Sequence, residues 1–284
     1  MANLLIEVNE LFKNISNPDY IIIDCRFDLS NENWGYSDYL KGHIPGAQYA
    51  DLNKNLSSPI TLSTGRHPLP NSEKFIAFLS ELGIDKNKTV VVYDASYGSY
   101  AARLWWLLRA YGHSSIVLLN GGFQAWTAAG FSIESGIALK NSSKFVGDFS
   151  VEYMIDQESI EKNINDEKFL LIDARSPQRF AGIEEPIDSV AGHIPGAINI
   201  FHQTHLDQNG FLLPNNKLEE IYSFIGKNVI EEHVVLYCGS GVTSCFNLFA
   251  MAHIGYEKPK LYAGSWSEWI RNSEHPVVKK DQGE

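Results

Sequence analysis

One cysteine stands out for its surroundings. Val234-Val235-Leu236-Tyr237 reads as a buried strand, and it delivers Cys238 into the loop Gly239-Ser240-Gly241-Val242-Thr243, just ahead of a second apolar-periodic segment. Backbone N–H groups of such a loop can converge on one point, and the N-terminus of the following helix adds positive potential. A thiolate there is favoured over a thiol. The chemistry would be that of a nucleophile. The competing reading is a small buried hydrophobe, which is common for a lone cysteine at a strand end. Thr243 or Ser244 is the expected N-cap of the helix.

The elements that must position this loop occur twice. Gly42-His43-Ile44-Pro45-Gly46-Ala47 recurs letter for letter as Gly192-His193-Ile194-Pro195-Gly196-Ala197, so the chain is a duplication. Each copy follows an apolar run ending in Asp-x-Arg, Ile21-Ile22-Ile23-Asp24-Cys25-Arg26 and Leu170-Leu171-Ile172-Asp173-Ala174-Arg175. Downstream, Val90-Val91-Val92-Tyr93-Asp94 answers Val234-Val235-Leu236-Tyr237-Cys238, and Asp94 stands where the second copy has its cysteine. A helical pattern follows each loop, and then a further strand-turn-helix unit, Asn120-Gly121-Gly122-Phe123 against Ala263-Gly264-Ser265-Trp266. Near-continuous apolar strands alternating with helices predict two α/β domains, each a mainly parallel sheet flanked by helices. We expect the domains at 1–138 and 149–284, with a linker over 139–148 where the periodicity lapses.

A chain of 284 residues suits two ordinary domains, and a formal charge of −11 argues against nucleic acid or an anionic membrane as partner. An anionic small substrate would then need a local basic or N–H-lined pocket. The early residues carry no basic leader, and no apolar run approaches the ~20 residues that span a bilayer, so a cytoplasmic protein is expected. Three cysteines, Cys25, Cys238 and Cys245, form neither a disulfide framework nor a zinc pattern. Cys25 and Cys245 read as core residues, with an oxidised Cys238–Cys245 pair left open.

The residues shared by both halves are read as structural. His43 and His193, with their flanking glycines and proline, fix a turn, and the Asp-x-Arg pairs orient loops. Arg179 differs, because Arg179-Phe180-Ala181-Gly182 has no counterpart in the first half. It could grip a carboxylate or a sulfur oxyanion in bidentate fashion, or form a surface pair with Glu184 or Glu185. The polar connection from Asp51-Leu52-Asn53 to Thr64-Gly65-Arg66-His67-Pro68-Leu69-Pro70 is expected to wall the cleft of the cysteine-bearing half.

Together these motifs resemble the tandem rhodanese family of thiosulfate and 3-mercaptopyruvate sulfurtransferases, over essentially the whole chain. The resemblance implies a persulfide enzyme in which Cys238 takes sulfur from a small anionic donor and passes it to a thiol or cyanide acceptor, thioredoxin among the thiols. It implies neither cofactor nor metal. Backbone N–H groups from Gly239 through Ser240, Gly241 and Val242 to Thr243 would cradle the sulfur anion. Cys238 to Thr243 matches the loop of the mercaptopyruvate branch, in which Ser240 would assist proton transfer and Arg179 would bind the substrate carboxylate, with His67 and Asn53 completing the binding site. Two positions depart from that branch. Ile187 stands where a second arginine is usual, and Asn53 where an acidic residue is usual.

Thiosulfate as main donor is the alternative activity. A phosphatase is disfavoured because the sixth residue after Cys238 is Ser244 rather than arginine. A regulatory or sulfur-carrier module is the non-enzymatic alternative, and the intact cysteine loop argues against it.

Overall fold

The computed structural model describes residues 4–139, 142–225 and 229–279. Lys140 and Asn141, within the expected linker, lie outside the described residues. The chain divides into two compact units. One comprises Met1–Ser58, Leu69–Ser150 and Asp207–Leu212, and the other Pro59–Pro68, Val151–Leu206 and Leu213–Glu284. The sequence order of the two halves is thus interrupted twice, and Pro59–Pro68 packs as part of the cysteine-bearing unit.

In the first unit the strands β1 (Leu5–Ile6), β2 (Tyr20–Asp24), β3 (Gln48–Tyr49), β4 (Thr89–Tyr93) and β5 (Ile116–Leu119) form a sheet of order β1-β5-β4-β2-β3. In the second, β6 (Met154–Ile155), β7 (Leu170–Asp173), β8 (Ile198–Asn199), β9 (Val234–Tyr237) and β10 (Lys260–Tyr262) repeat that order as β6-β10-β9-β7-β8. Every pairing is parallel. The expected α/β architecture with helix-flanked parallel sheets is therefore the observed one.

The strand β9 shows why the local sequence folds as it does. Val234, Val235, Leu236 and Tyr237 are all 0% exposed, as a strand between two neighbours and under helices on both faces requires. Each such aliphatic side chain contributes roughly 1.5–3 kcal/mol on burial, and the run is held in register accordingly. The helix α9 (Ser244–His253) packs on the sheet with Cys245, Phe249, Ala250 and Met251 fully buried. Among the described residues no helix is long and apolar enough to cross a membrane.

The repeated motifs do the same job in each unit. Arg26 Nη2 lies 2.7 Å from Asp24 Oδ2 and donates to Gly42 O at 2.6 Å, while Arg175 Nη2 lies 2.6 Å from Asp173 Oδ2 and donates to Gly192 O at 2.7 Å. The arginine thus ties the strand end to the Gly-His-Ile-Pro-Gly-Ala loop. The histidines close that loop. His43 Nδ1 bonds Tyr39 O at 2.8 Å and His193 Nδ1 bonds Phe180 O at 2.7 Å. Their backbones form isolated antiparallel bridges to Glu134 and Val278. Gly46 (φ 75°) and Gly196 (φ 77°) make the left-handed turn that L side chains resist.

Candidate active site

The cysteine and the groups around it belong to the second unit. Cys238 leaves the carboxyl end of β9, the end of a parallel strand where α/β sheets place ligands. It is 1% exposed, and no disulfide joins it to Cys245. Cys245 instead points its Sγ at Gly241 O, 3.4 Å away.

The sulfur is surrounded by donors. Ser244 Oγ lies 3.5 Å from Cys238 Sγ. Burial pushes the thiol pKa up, but the hydroxyls of Ser244 and Thr243 and the backbone N–H groups of Ser240 and Ser244 outweigh it. The thiol is held below its ordinary value. Thr243 does sit at the N-cap of α9, yet its side chain makes no capping bond. The hydroxyls at this helix start serve the sulfur rather than the helix. Ser244, which the sequence offered only as a possible N-cap and as the residue that excludes a phosphatase, is thus part of the site. Ser244→Ala should move the pH midpoint of Cys238 alkylation by iodoacetamide, followed by peptide mass, upward. An unmoved midpoint would leave Thr243 and the N–H groups as the whole cause.

Below the cysteine, Ser265 supports the loop. Cys238 N–H donates to Ser265 Oγ at 3.1 Å, and Ser265 Oγ donates to Tyr262 O at 2.9 Å. Trp266 N–H and Ser267 N–H return to the carbonyls of Cys238 and Gly239 at 3.0 and 2.9 Å. Ser265 holds φ at 55°, where Gly122 in the other unit holds 59°. A side chain in this region costs about 1–3 kcal/mol, and the hydroxyl bonded beneath the cysteine is what offsets it. A serine against a glycine in the aligned repeats was the sequence signal for this residue.

Gly241 (φ 73°) turns the loop, and a side chain there would meet Ala263 O at 2.3 Å. Gly239 is approached by side chains instead. A Cβ on it would lie 2.6 Å from Arg66 Nη2 and 3.5 Å from Arg179 Nη2, so two guanidiniums cover the residue after the cysteine. Val242 is buried beneath the loop at 4% exposure. Ser240 Oγ and His67 Nδ1 share a hydrogen bond of 2.7 Å. His67 and Arg66 come from Pro59–Pro68, and their place in this unit is tied by Arg66 N–H to Ser267 Oγ at 3.0 Å. Asn53 is a residue of the first unit, where its N–H donates to Asp51 Oδ1 at 2.9 Å.

Arg179, on the short helix α7 (Pro177–Phe180), is placed by carboxylates. Its Nε donates to both oxygens of Glu185 at 3.0 Å and its Nη2 to Asp188 Oδ2 at 3.0 Å. The pairing is with Glu185 rather than Glu184, and the same guanidinium lies beside the cysteine loop. Arg175 Nη1 reaches the other side of Glu185 at 3.2 Å, and Arg66 takes Asp188 in a bidentate pair at 3.0 and 3.1 Å. Acids and arginines therefore alternate from Asp173 through Arg175, Glu185, Arg179 and Asp188 to Arg66. Burial pushes the Glu185 carboxyl up, but Arg179 and two backbone N–H groups hold it below the usual range. At Asp188 burial wins against Arg66 and Arg179, and the carboxyl is pushed up.

The first unit shows the same loop without the chemistry. Asp94 accepts N–H bonds from Ser96, Gly98, Tyr100 and Ala101 at 2.7, 2.9, 2.7 and 2.8 Å, so its carboxylate fills the cradle from within. Among the described residues no group of three or more His, Cys, Asp or Glu could hold a metal ion.

A duplicated parallel α/β unit with a buried, donor-ringed cysteine in one copy defines a class, and the family comparison agrees. The rhodanese-like domain matches residues 7–129 and again 156–272, and the chain belongs to that family. It is similar to a Pseudomonas aeruginosa protein named "Probable 3-mercaptopyruvate sulfurtransferase", 40% identical over 279 residues and covering 98% of each chain. An Arabidopsis thaliana protein named "Thiosulfate/3-mercaptopyruvate sulfurtransferase 2" is 31% identical over 96% of this chain and 86% of its own. Among solved structures, a 3-mercaptopyruvate sulfurtransferase from Leishmania major superposes with a TM-score of 0.83 at 32% identity, covering 94% of this chain and 74% of that one.

Proposed function

We propose that the protein is a sulfurtransferase that takes sulfur from 3-mercaptopyruvate onto Cys238 and hands it to a thiol or to cyanide. The observation that carries this reading is the environment of the cysteine: buried, yet held below its ordinary pKa by two hydroxyls and two N–H groups. A thiol so placed is shifted toward the thiolate, which is the nucleophilic form.

The Cys238 thiolate attacks the sulfur of the donor. An S–S bond forms, the donor's C–S bond breaks, and its electron pair leaves as the enolate of pyruvate. That carbanion needs a proton. The hydroxyl of Ser240, bonded to His67, supplies it, and the proton released by the donor thiol restores the pair. The cradle that held the thiolate then holds the persulfide anion. In the second half-reaction an acceptor thiolate or cyanide attacks the outer sulfur, the S–S bond breaks, and the Cys238 thiolate returns.

Thiosulfate is the second reading, supported by the name of the Arabidopsis relative. There the outer sulfur is transferred and sulfite leaves without needing a proton. The neutral loop from Gly239 to Thr243 favours the singly charged keto acid over the dianion. Three cysteines outside any disulfide also suit a reducing compartment, in keeping with a cytoplasmic enzyme and a small thiol or thioredoxin as acceptor. Mass spectrometry of the protein incubated with each donor tests the proposal. One sulfur atom should be added at Cys238 and removed by cyanide. If neither donor adds sulfur, the transferase reading falls.

A further inference from the structure

The charge ladder beside Cys238 contains a pairing that donor chemistry can use. Arg66 and Arg179 both bond one carboxylate, Asp188, and both lie over Gly239. The arginines are the outer members, with side chains 21% and 14% exposed, whereas Asp188 and Glu185 beneath them are 4% and 3% exposed. Nη1 of each of these two arginines carries no protein hydrogen bond among the described residues. Those N–H groups remain for a ligand, and Arg179 Nη1 lies 3.6 Å from where a Cβ on Gly239 would stand, beside the cysteine loop. The side chain at 187, by contrast, is an isoleucine that is 45% exposed and offers no donor.

The balance of charge decides which ligand fits. Arg66, Arg175 and Arg179 face Asp173, Glu185 and Asp188, three of each sign in one connected set. A planar carboxylate could take both free N–H edges as a fork, a geometry arginine pairs are suited to. The set is already neutral, so each negative charge a ligand brings goes uncompensated, and a dianion adds twice what a carboxylate adds.

We propose that Arg66 and Arg179 together grip the carboxylate of the donor, and that Asp188, by neutralising one guanidinium, selects a singly charged keto acid over a dianion such as thiosulfate. Arg66 then does from Pro59–Pro68 what no residue at position 187 can do. This assignment rests on the sulfurtransferase reading and deepens it.

Steady-state kinetics with 3-mercaptopyruvate and with thiosulfate, on the full chain, test it. Arg66→Met should raise KM for 3-mercaptopyruvate roughly tenfold with a much smaller change in kcat, the size of one charge-assisted hydrogen bond lost from binding. Arg66→Lys, which keeps the charge without the fork, should fall between wild type and Arg66→Met. Asp188→Asn should raise the ratio of kcat/KM for thiosulfate to that for 3-mercaptopyruvate by about tenfold, because it leaves a net positive site of the same shape. An unchanged KM in Arg66→Met, or an unchanged donor ratio in Asp188→Asn, overturns the proposal. Should the buried Asp188 variant not fold, Arg66→Met decides alone, since its side chain is partly solvent-exposed. Failure of the wild-type protein to use either donor would instead remove the underlying function.

Discussion

Replacement of Cys238 by serine lowers sulfur transfer from either donor by roughly 10⁴-fold or more, the scale on which loss of a nucleophile is felt. The substitution keeps the shape of the loop, so the protein should fold with the same sheet order. What is lost is the anion. The Ser244 and Thr243 hydroxyls and the Ser240 and Ser244 N–H groups hold a thiolate below its ordinary pKa, but a serine hydroxyl starts too far above neutrality for the same donors to ionise it. Pyruvate release from 3-mercaptopyruvate and thiocyanate formation from thiosulfate with cyanide measure the effect. Cys25 and Cys245 are fully buried core thiols. Turnover persisting near the wild-type rate would mean that one of them, or another group, carries the sulfur.

The second large effect separates the donors. Ser240→Ala should lower kcat for 3-mercaptopyruvate by about 10²-fold, within the range for a lost general acid, and lower turnover of thiosulfate far less. The reason lies in the leaving groups. Pyruvate departs as a carbanion that must be protonated, whereas sulfite is a stable anion. The 2.7 Å bond between Ser240 Oγ and His67 Nδ1 places a proton route next to the cysteine, and His67→Ala should reproduce the same donor asymmetry. Equal losses with both donors would assign Ser240 to the shape of the loop rather than to proton transfer.

Much of this architecture is legible in the residues because the chain states it twice. Hydrophobic runs at matched spacing identify strands in a parallel sheet, and the duplicated Gly-His-Ile-Pro-Gly-Ala separates what the fold needs from what only one copy needs. Asp94 makes the point physically. Its carboxylate takes four backbone N–H groups of the duplicate loop, so that loop persists without a nucleophile. Local sequence also carries the cysteine's setting, since a strand, a glycine-bearing loop and a helix start are consecutive.

Residues brought in by distant segments were less legible. Position 67 singled itself out only through resemblance, and Arg66 beside it drew no attention, because a polar connection has no periodicity from which its destination can be read. That Pro59–Pro68 packs with the second unit is a tertiary fact, and it is this that sets Arg66 on Asp188 and His67 on Ser240. Ser265 carries a signal in the aligned repeats, where Gly122 answers it, but its bond to the Cys238 N–H, 27 positions back along the chain, is set by the packing of two strand ends.

The duplicated fold and the single nucleophile follow from short-range patterns alone: apolar periodicity, glycine turns and one loop in which a cysteine replaces an aspartate. The charge around that nucleophile is a product of packing. Pairing of Arg179 with Glu185 and Asp188, and of Asp188 with Arg66, depends on which buried carboxylates meet which guanidiniums, and such partners are chosen by packing rather than by spacing.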